Sequence, residues 1–342
     1  MMLSSMSVTS DRRLVDVHRT ATCGIGAFAA VYSCMFLFGS EDPNVPSTQP
    51  TVEGAKKHVL KVAKGDLRQR EVRIHCQAKH DNIVNCDGHG SYAAKGGGHS
   101  ICYLLLERMD TSLHIYGLGT KTKGPVKPFW DFTRKDILIV MWGLRDALNY
   151  LHTTLKVAHL DLHTGNFLVN YNAEGITGIK LCDFGKARSF PKNSRRGGST
   201  RESEKGAVAA LDPENMLPCY APEIYQYDEI GAHTDVFGYT VTCLHVLLGT
   251  SNWKTSVKRN PRTRKFLIEP GVQGRFNSTP LANMRSKTLR EAMKNIDRIL
   301  GADLYIRKGQ TLDYACEQLT IVLDHLRPPK IGCGNIYGMA RL

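Results

Sequence analysis

The sequence predicts a bilobal α+β fold, with a strand-rich first lobe followed by a larger helical lobe. Three observations carry this. Short apolar runs separated by glycine- and proline-bearing turns crowd the early part of the chain. After Met109 the pattern changes, and from Asp136 apolar residues recur at helical spacing. Beyond residue 215 no long alternating run appears. Strands gathered early and helices gathered late indicate segregated rather than alternating elements. The boundaries read as a polar, flexible N-terminus over 1–13, a first lobe over 14–108, a second over 109–328, and a tail over 329–342.

The elements follow in order. Leu14 to Cys23 and Ala29 to Phe38 are apolar runs around a glycine turn, the pattern of a hairpin. Ala21 to Phe38 is nearly uncharged and follows Arg12, Arg13 and Arg19, as in a signal anchor. Its two early glycines and short length favour the hairpin, and no membrane association is expected. Ser40 to Lys57 contains Pro43, Pro46 and Pro50 and reads as a loop. His58 to Val62 reads as a short strand, and Asp66 to Lys79 as a helix with Asp66 at its N-cap. Ile101 to Leu106 is a continuous apolar run, hence a buried strand. Ile137, Ile139, Val140, Leu144, Leu148 and Leu151 predict a helix from Asp136 to His152.

With 342 residues, 42% apolar and 23% charged, the chain can bury a core and is not of the disordered class. A net charge of +13 raises the question of nucleic acid, membrane or acidic partners. The basic residues are spread along the chain, which favours an enzyme handling anionic substrates over a nucleic-acid surface. The one compact run is Lys258, Arg259, Arg262, Arg264 and Lys265, readable as a nuclear-import signal or as a solvated loop face. Ten cysteines lie scattered without a C-x-x-C pair, which argues for a reducing intracellular compartment, cytoplasm or nucleus, and against a disulfide framework or zinc.

Gly24-Ile25-Gly26-Ala27-Phe28-Ala29-Ala30-Val31 is, by itself, a glycine turn that lets backbone N–H groups approach phosphate. A stronger signal lies downstream. His159-Leu160-Asp161-Leu162-His163-Thr164-Gly165-Asn166 is followed in order by Asp183-Phe184-Gly185, Ala221-Pro222-Glu223 and Asp235-Val236-Phe237-Gly238. This ordered set resembles the eukaryotic protein kinases over roughly residues 14 to 328.

The resemblance implies the family's bilobal fold, ATP and Mg²⁺ as cofactors, and Ser or Thr hydroxyls of proteins as substrates. Gly24, Ile25, Gly26, Ala27, Phe28 and Val31 match the phosphate-covering loop, with Ala29 in place of its third glycine. Val59-Leu60-Lys61 matches the third-strand V-A-I-K, which makes Lys61 the phosphate-binding lysine. Glu71 precedes a His80-Asp81-Asn82-Ile83-Val84 stretch like the family's H-P-N-I-V and becomes the partner of Lys61. Asp161 corresponds to the catalytic base, and Asn166 and Asp183 to the metal ligands. Leu106 falls at the gatekeeper position ending the fifth strand, Glu107 to Met109 at the hinge facing adenine, and Val31 and Leu168 on either side of the ring. Cys182 falls near the phosphates and reads as an inert buried thiol. Asp303 to Arg307 resembles D-P-x-x-R, pairing Arg307 with Glu223, and Asp235 is the structural aspartate of the following helix.

Some positions depart from the family. Leu160 replaces the arginine before the catalytic aspartate, which puts activation by loop phosphorylation in doubt, and His163 replaces the lysine typical of Ser/Thr kinases. His-Leu-Asp also resembles kinases of large DNA viruses, including herpesviruses, which implies a host nucleus as the site of action. Two other readings compete with an active protein kinase. One is a catalytically silent binding module, suggested by Ala29, Leu160 and His163. The other is a small-molecule kinase, disfavoured by the presence of Glu223 and Asp235.

Overall fold

The computed structural model describes residues 6–10, 13–25, 29–37, 58–63, 69–93, 100–120, 123–189, 220–221, 223–224, 230–249, 257–259, 266–268, 286–301 and 304–327. Gly26, Ala27, Phe28, Asp66, Pro222, Asp303 and the tail over 329–342 lie outside these residues.

The first lobe is an antiparallel sheet of β1 (Met6–Ser10), β2 (Arg13–Ile25), β3 (Ala29–Leu37), β4 (His58–Ala63), β5 (Cys86–Ala93) and β6 (Ser100–Glu107). The spatial order is β1-β2-β3-β4-β6-β5, closed where Thr9 of β1 pairs with His89 of β5. Within the stretch over 1–13 expected to be flexible, Met6–Ser10 is instead a strand that pairs along its length with Arg13–Val17. Alternating Val8 with polar neighbours suits a short strand, and a paired backbone satisfies donors that a loose segment leaves to water. This additional strand shifts the numbering, so the lysine expected on a third strand sits on β4 and the gatekeeper on β6. The hairpin around the glycine turn forms as expected: Gly24 faces Val31, and Ile25 faces Ala30. A sheet hairpin accounts for the apolar run that resembled a membrane anchor, and no helix among the described residues is long and apolar enough to cross a membrane.

Between β4 and β5 lies α1 (Gln69–Gln77), a nine-residue helix carrying Glu71. After β6 come β7 (Thr111–Ser112) and α2 (Leu113–Leu118), where the Ser112 hydroxyl caps the Ile115 N–H.

The helical lobe is organised by α3 (Arg134–Tyr150), which begins two residues before the predicted start. Thr133 is its N-cap. The Asp136 N–H donates to the Thr133 hydroxyl at 3.1 Å while the Asp136 carboxylate accepts from the Thr133 N–H at 2.8 Å, a reciprocal capping box. Asp136 also accepts from Lys127 Nζ at 2.7 Å and from the Ile176 N–H at 2.8 Å, so one buried carboxylate ties the helix start to a later hairpin. Burial works to raise its pKa, but the Lys127 ammonium and the N–H donors outweigh this and hold it below the usual carboxylate range. The helix ends in one turn of π-helix, Leu151–Leu155, closed by Lys156 in a left-handed conformation.

The segments carrying the motifs then follow as β8 (Val157–Ala158), β9 (Phe167–Asn172), β10 (Gly175–Leu181) and β11 (Arg188–Ser189). Strand β9 pairs antiparallel with both β10 and β7, and β8 pairs with β11. Next come α4 (Ala232–Leu248), β12 (Val257–Arg259) and β13 (Phe266–Ile268), then α5 (Lys287–Ile299), α6 (Leu304–Lys308) and α7 (Leu312–Leu326). Helix α4 is buried almost all round, as its apolar sequence demands of a central helix. Lys258 and Arg259 of the basic run lie on β12, and its later members fall outside the described residues.

Candidate active site

Lys61 stands on β4, with Val31 of β3 opposite it on one side and Leu104 of β6 on the other. Its Nζ lies 2.5 Å from Glu71 Oε1 and 3.1 Å from Asp183 Oδ1. A strand, a helix and the segment after β10 thus meet at one ammonium, which is only 7% exposed. Burial works to neutralise it, but the Asp183 and Glu71 carboxylates more than offset that and hold its pKa above the ordinary lysine range. Burial likewise works to raise Asp183, yet the Lys61 charge and the Gly185 N–H keep that carboxyl below its usual range. Both groups therefore stay charged at neutral pH.

Asp183 adopts a left-handed backbone with φ 67°. Asp and Asn tolerate this better than most residues, because the short side chain bonds locally, and here Oδ1 accepts from Gly185 N–H at 3.2 Å. Cys182, beside it, is half-buried, and desolvation pushes its thiol up to about 12, which makes it inert at neutral pH.

The loop between β8 and β9 holds Asp161 and Asn166. Asn166 Nδ2 donates to the Asp161 carbonyl at 2.9 Å, fixing the spacing of the two side chains. Behind the loop, the Asp235 carboxylate of α4 accepts from the His159 N–H at 2.7 Å, the Leu160 N–H at 2.8 Å and His152 Nε2 at 2.8 Å. Leu160 has φ 65°, a strained conformation for this residue, and these bonds from a buried carboxylate hold it there. Glu223 pairs with Arg307 of α6 in a fully buried contact.

Leu106 and Met109 belong to one buried cluster with Val84, Cys86 and Leu104, against which Leu168 and Cys182 pack. Val31 is half-buried on β3, opposite Lys61. The hinge needs one refinement. The Glu107 N–H already donates to the Asn85 carbonyl at 3.0 Å, so that N–H is not available to a base edge. Gly24 and Ile25 are placed in β2 at the start of the glycine turn, whose tip lies outside the described residues.

Three residues of the site were absent from the sequence reading. Lys186 Nζ lies 2.8 Å from Asp161 Oδ1, and the Tyr220 hydroxyl donates to the same oxygen at 2.7 Å. Lys186 and Tyr220 also bond each other. Each is adjacent in sequence to a motif, Asp183-Phe184-Gly185 or Ala221-Pro222-Glu223, which is the signal that could have found them. His75 lies four residues after Glu71, hence on the same face of α1. Its Nε2–H donates to the Val84 carbonyl at 2.8 Å, and its ring packs 4.9 Å from Phe184. Phe184 in turn meets His159 edge-on at 5.3 Å. A continuous stack of rings therefore links the helix of Glu71 to the loop of Asp161.

Comparison with known proteins agrees with this arrangement. An L-type lectin-domain containing receptor kinase of Arabidopsis thaliana is 27% identical over 252 residues, covering 72% of this chain and 31% of the relative. A serine/threonine-protein kinase receptor of Brassica oleracea var. viridis is 24% identical over 67% of this chain and 23% of the relative. The serine/threonine-protein kinase DCLK1 of Rattus norvegicus is 27% identical over 48% of this chain and 33% of the relative. The chain thus spans about a third or less of the length of these relatives. The family model described as protein kinase domain matches residues 17–309, most of the 342-residue sequence, and with the motif residues gathered around Lys61 and Asp161 this chain belongs to the protein kinase family.

Proposed function

We propose that the chain transfers the γ-phosphate of ATP to Ser or Thr hydroxyls of protein substrates. The observation that carries this is the buried Lys61 ammonium held at once by Glu71 and Asp183. Both the lysine–glutamate pair and the metal-binding aspartate must be in place for phosphoryl transfer in this family, and here one side chain bridges them. The relatives named as serine/threonine kinases support the choice of hydroxyl.

Phosphoryl transfer asks little covalent chemistry of the protein and much positioning. Lys61 supplies a fixed positive charge for the α- and β-phosphates. Asp183 keeps Oδ2 without a hydrogen bond among the described residues, and Asn166 uses its Nδ2 on the Asp161 carbonyl, which leaves its Oδ1 lone pairs for a cation. Two hard oxygens of this kind fit Mg²⁺, which takes one or two protein ligands beside phosphate oxygens. When bound, the ion neutralises phosphate charge and holds the triphosphate in line. Asp161 uses Oδ1 on Lys186 and Tyr220. Its Oδ2 is then the atom that orients the substrate hydroxyl and takes its proton, an effect of roughly 10²–10⁴ in rate for such bases.

A second reading, a catalytically silent binding module, draws on the same contacts, because Lys186 and Tyr220 occupy part of the Asp161 carboxylate. Transfer of ³²P from ATP with Mg²⁺ to casein, histone or the protein itself separates the two. Transfer to Ser or Thr, abolished in Asp161→Asn and Lys61→Met, supports the kinase. Nucleotide binding by thermal shift without transfer supports the silent module and refutes the kinase reading.

A further inference from the structure

We propose that Lys186 is the cation that neutralises the transferring phosphoryl group beside Asp161, taking over from the lysine that position 163 lacks. This rests on the phosphotransfer reading and adds a catalytic residue to it.

The need comes from charge. As the phosphoryl group moves, its three equatorial oxygens stay negative, and fixed cations aimed at them are the main source of rate. The group passes next to the acceptor hydroxyl, and that hydroxyl is held by Asp161. A useful cation must therefore sit at the edge of Asp161. Lys61 is committed elsewhere, between Glu71 and Asp183.

His163 cannot supply this charge. Its Nδ1 accepts the Gly165 N–H at 3.1 Å, so that nitrogen carries no proton and the ring is neutral. Its Nε2 is 3.8 Å from Asp161 Oδ1, beyond hydrogen-bond distance. Burial lowers its pKa as well, against the pull of Asp161.

Lys186 meets each requirement. Its Nζ lies 2.8 Å from Asp161 Oδ1 and also bonds the Tyr220 hydroxyl. The ammonium sits 4.8 Å from the Tyr220 ring centroid, a cation–π contact that further restricts it. An ammonium has three N–H donors, and the two contacts leave a third for a phosphoryl oxygen. The side chain is 24% exposed, so substrate can reach it. Among the described residues it is the lysine or arginine paired with Asp161. Tyr220 precedes Ala221 and Glu223, so the buried Glu223–Arg307 pair anchors the short segment that presents its hydroxyl.

The test is steady-state transfer to casein by the parent, Lys186→Met, and the double variant Lys186→Met/His163→Lys. Lys186→Met is expected to lower kcat by about 10²–10³-fold, with KM for ATP changed less than about threefold. Returning a lysine at position 163 is expected to recover at least about tenfold of that loss, which a purely structural role for Lys186 would not allow. A kcat for Lys186→Met equal to or above the parent overturns the assignment, the latter outcome showing Lys186 to be a plug on Asp161. Loss of activity without recovery in the double variant also overturns it, in favour of a structural role. Absence of transfer by the parent itself refutes the phosphotransfer reading, and this assignment falls with it.

Discussion

Arg307→Met is expected to destabilise the protein by about 3–5 kcal/mol, the usual consequence of removing one partner from a buried ion pair. Glu223 and Arg307 are each 1% exposed and 84 residues apart. The guanidinium also donates to the Gly301 carbonyl and lies 5.8 Å from the Phe237 ring centroid. Methionine fills much of the volume and keeps the contact with Phe237. It cannot donate to Glu223 or Gly301, so a buried carboxylate and a partly buried carbonyl lose their donors together. For a chain of this size roughly 2 °C in Tm accompanies each kcal/mol, which predicts a fall of about 6–10 °C by calorimetry. Glu223→Gln should cost a similar amount, because it strands the guanidinium. The double variant Glu223→Gln/Arg307→Met leaves no unpaired charge and should cost at least about 1 kcal/mol less than the sum of the single changes. Additivity within about 0.5 kcal/mol would refute the reasoning, since it would show that neither partner feels the loss of the other.

Other perturbations follow from the same contacts. The buried, neutral His75 has its pKa lowered from 6.5 to about 4. Unfolded chains therefore take up this proton first as pH falls, so its contribution is complete above about pH 6.5 and is lost toward pH 4. His75→Phe should flatten the fall of Tm between those values, by roughly 3 kcal/mol at most; an unchanged pH profile would show that His75 is not held neutral. Asp235→Asn replaces an oxygen facing the His159 or Leu160 N–H with a second donor. It should cost about 1–3 kcal/mol and lower kcat more than KM, because the displaced loop carries Asp161; a proportional change in KM would count against that. Gly175 has φ 134°, and a Cβ there would come within 2.3 Å of Asp136 Oδ1. Gly175→Ala should therefore cost at least about 1–3 kcal/mol of backbone strain, read by urea unfolding, whereas Gly178→Ala, where a Cβ meets nothing within 4 Å, serves as the tolerant comparison.

Much of the molecule was legible in its residues. The glycine hairpin, the strands at His58 and Ile101, and the long helix after Thr133 announced themselves through apolar runs and helical period. The motif order carried the family, and its match over residues 17–309 agrees. Other parts were not legible. Met6–Ser10 is polar enough to resemble a loose end, and its strand exists only because β2 and β5 offer edges to pair with. Strand β5, Cys86–Ala93, carries two glycines and a histidine, so no strand period marks it. Its place comes from pairing with β6 and from the packing of Cys86 beneath α1.

The sequence by itself determined which chemical groups are present and in what order: an ammonium at 61, carboxylates at 71, 161 and 183, an amide at 166. Local patterning was enough for that, because motifs and periodicity are properties of neighbours along the chain. Only the tertiary structure decided who meets whom. Lys61 reaches Asp183 across 122 residues and Arg307 reaches Glu223 across 84, while Lys186 and Tyr220 converge on Asp161 from opposite ends of a segment whose interior carries no such signal. Such pairings depend on the three-dimensional closure of distant segments around a shared core, where burial makes an unpaired charge costly and so selects the partner.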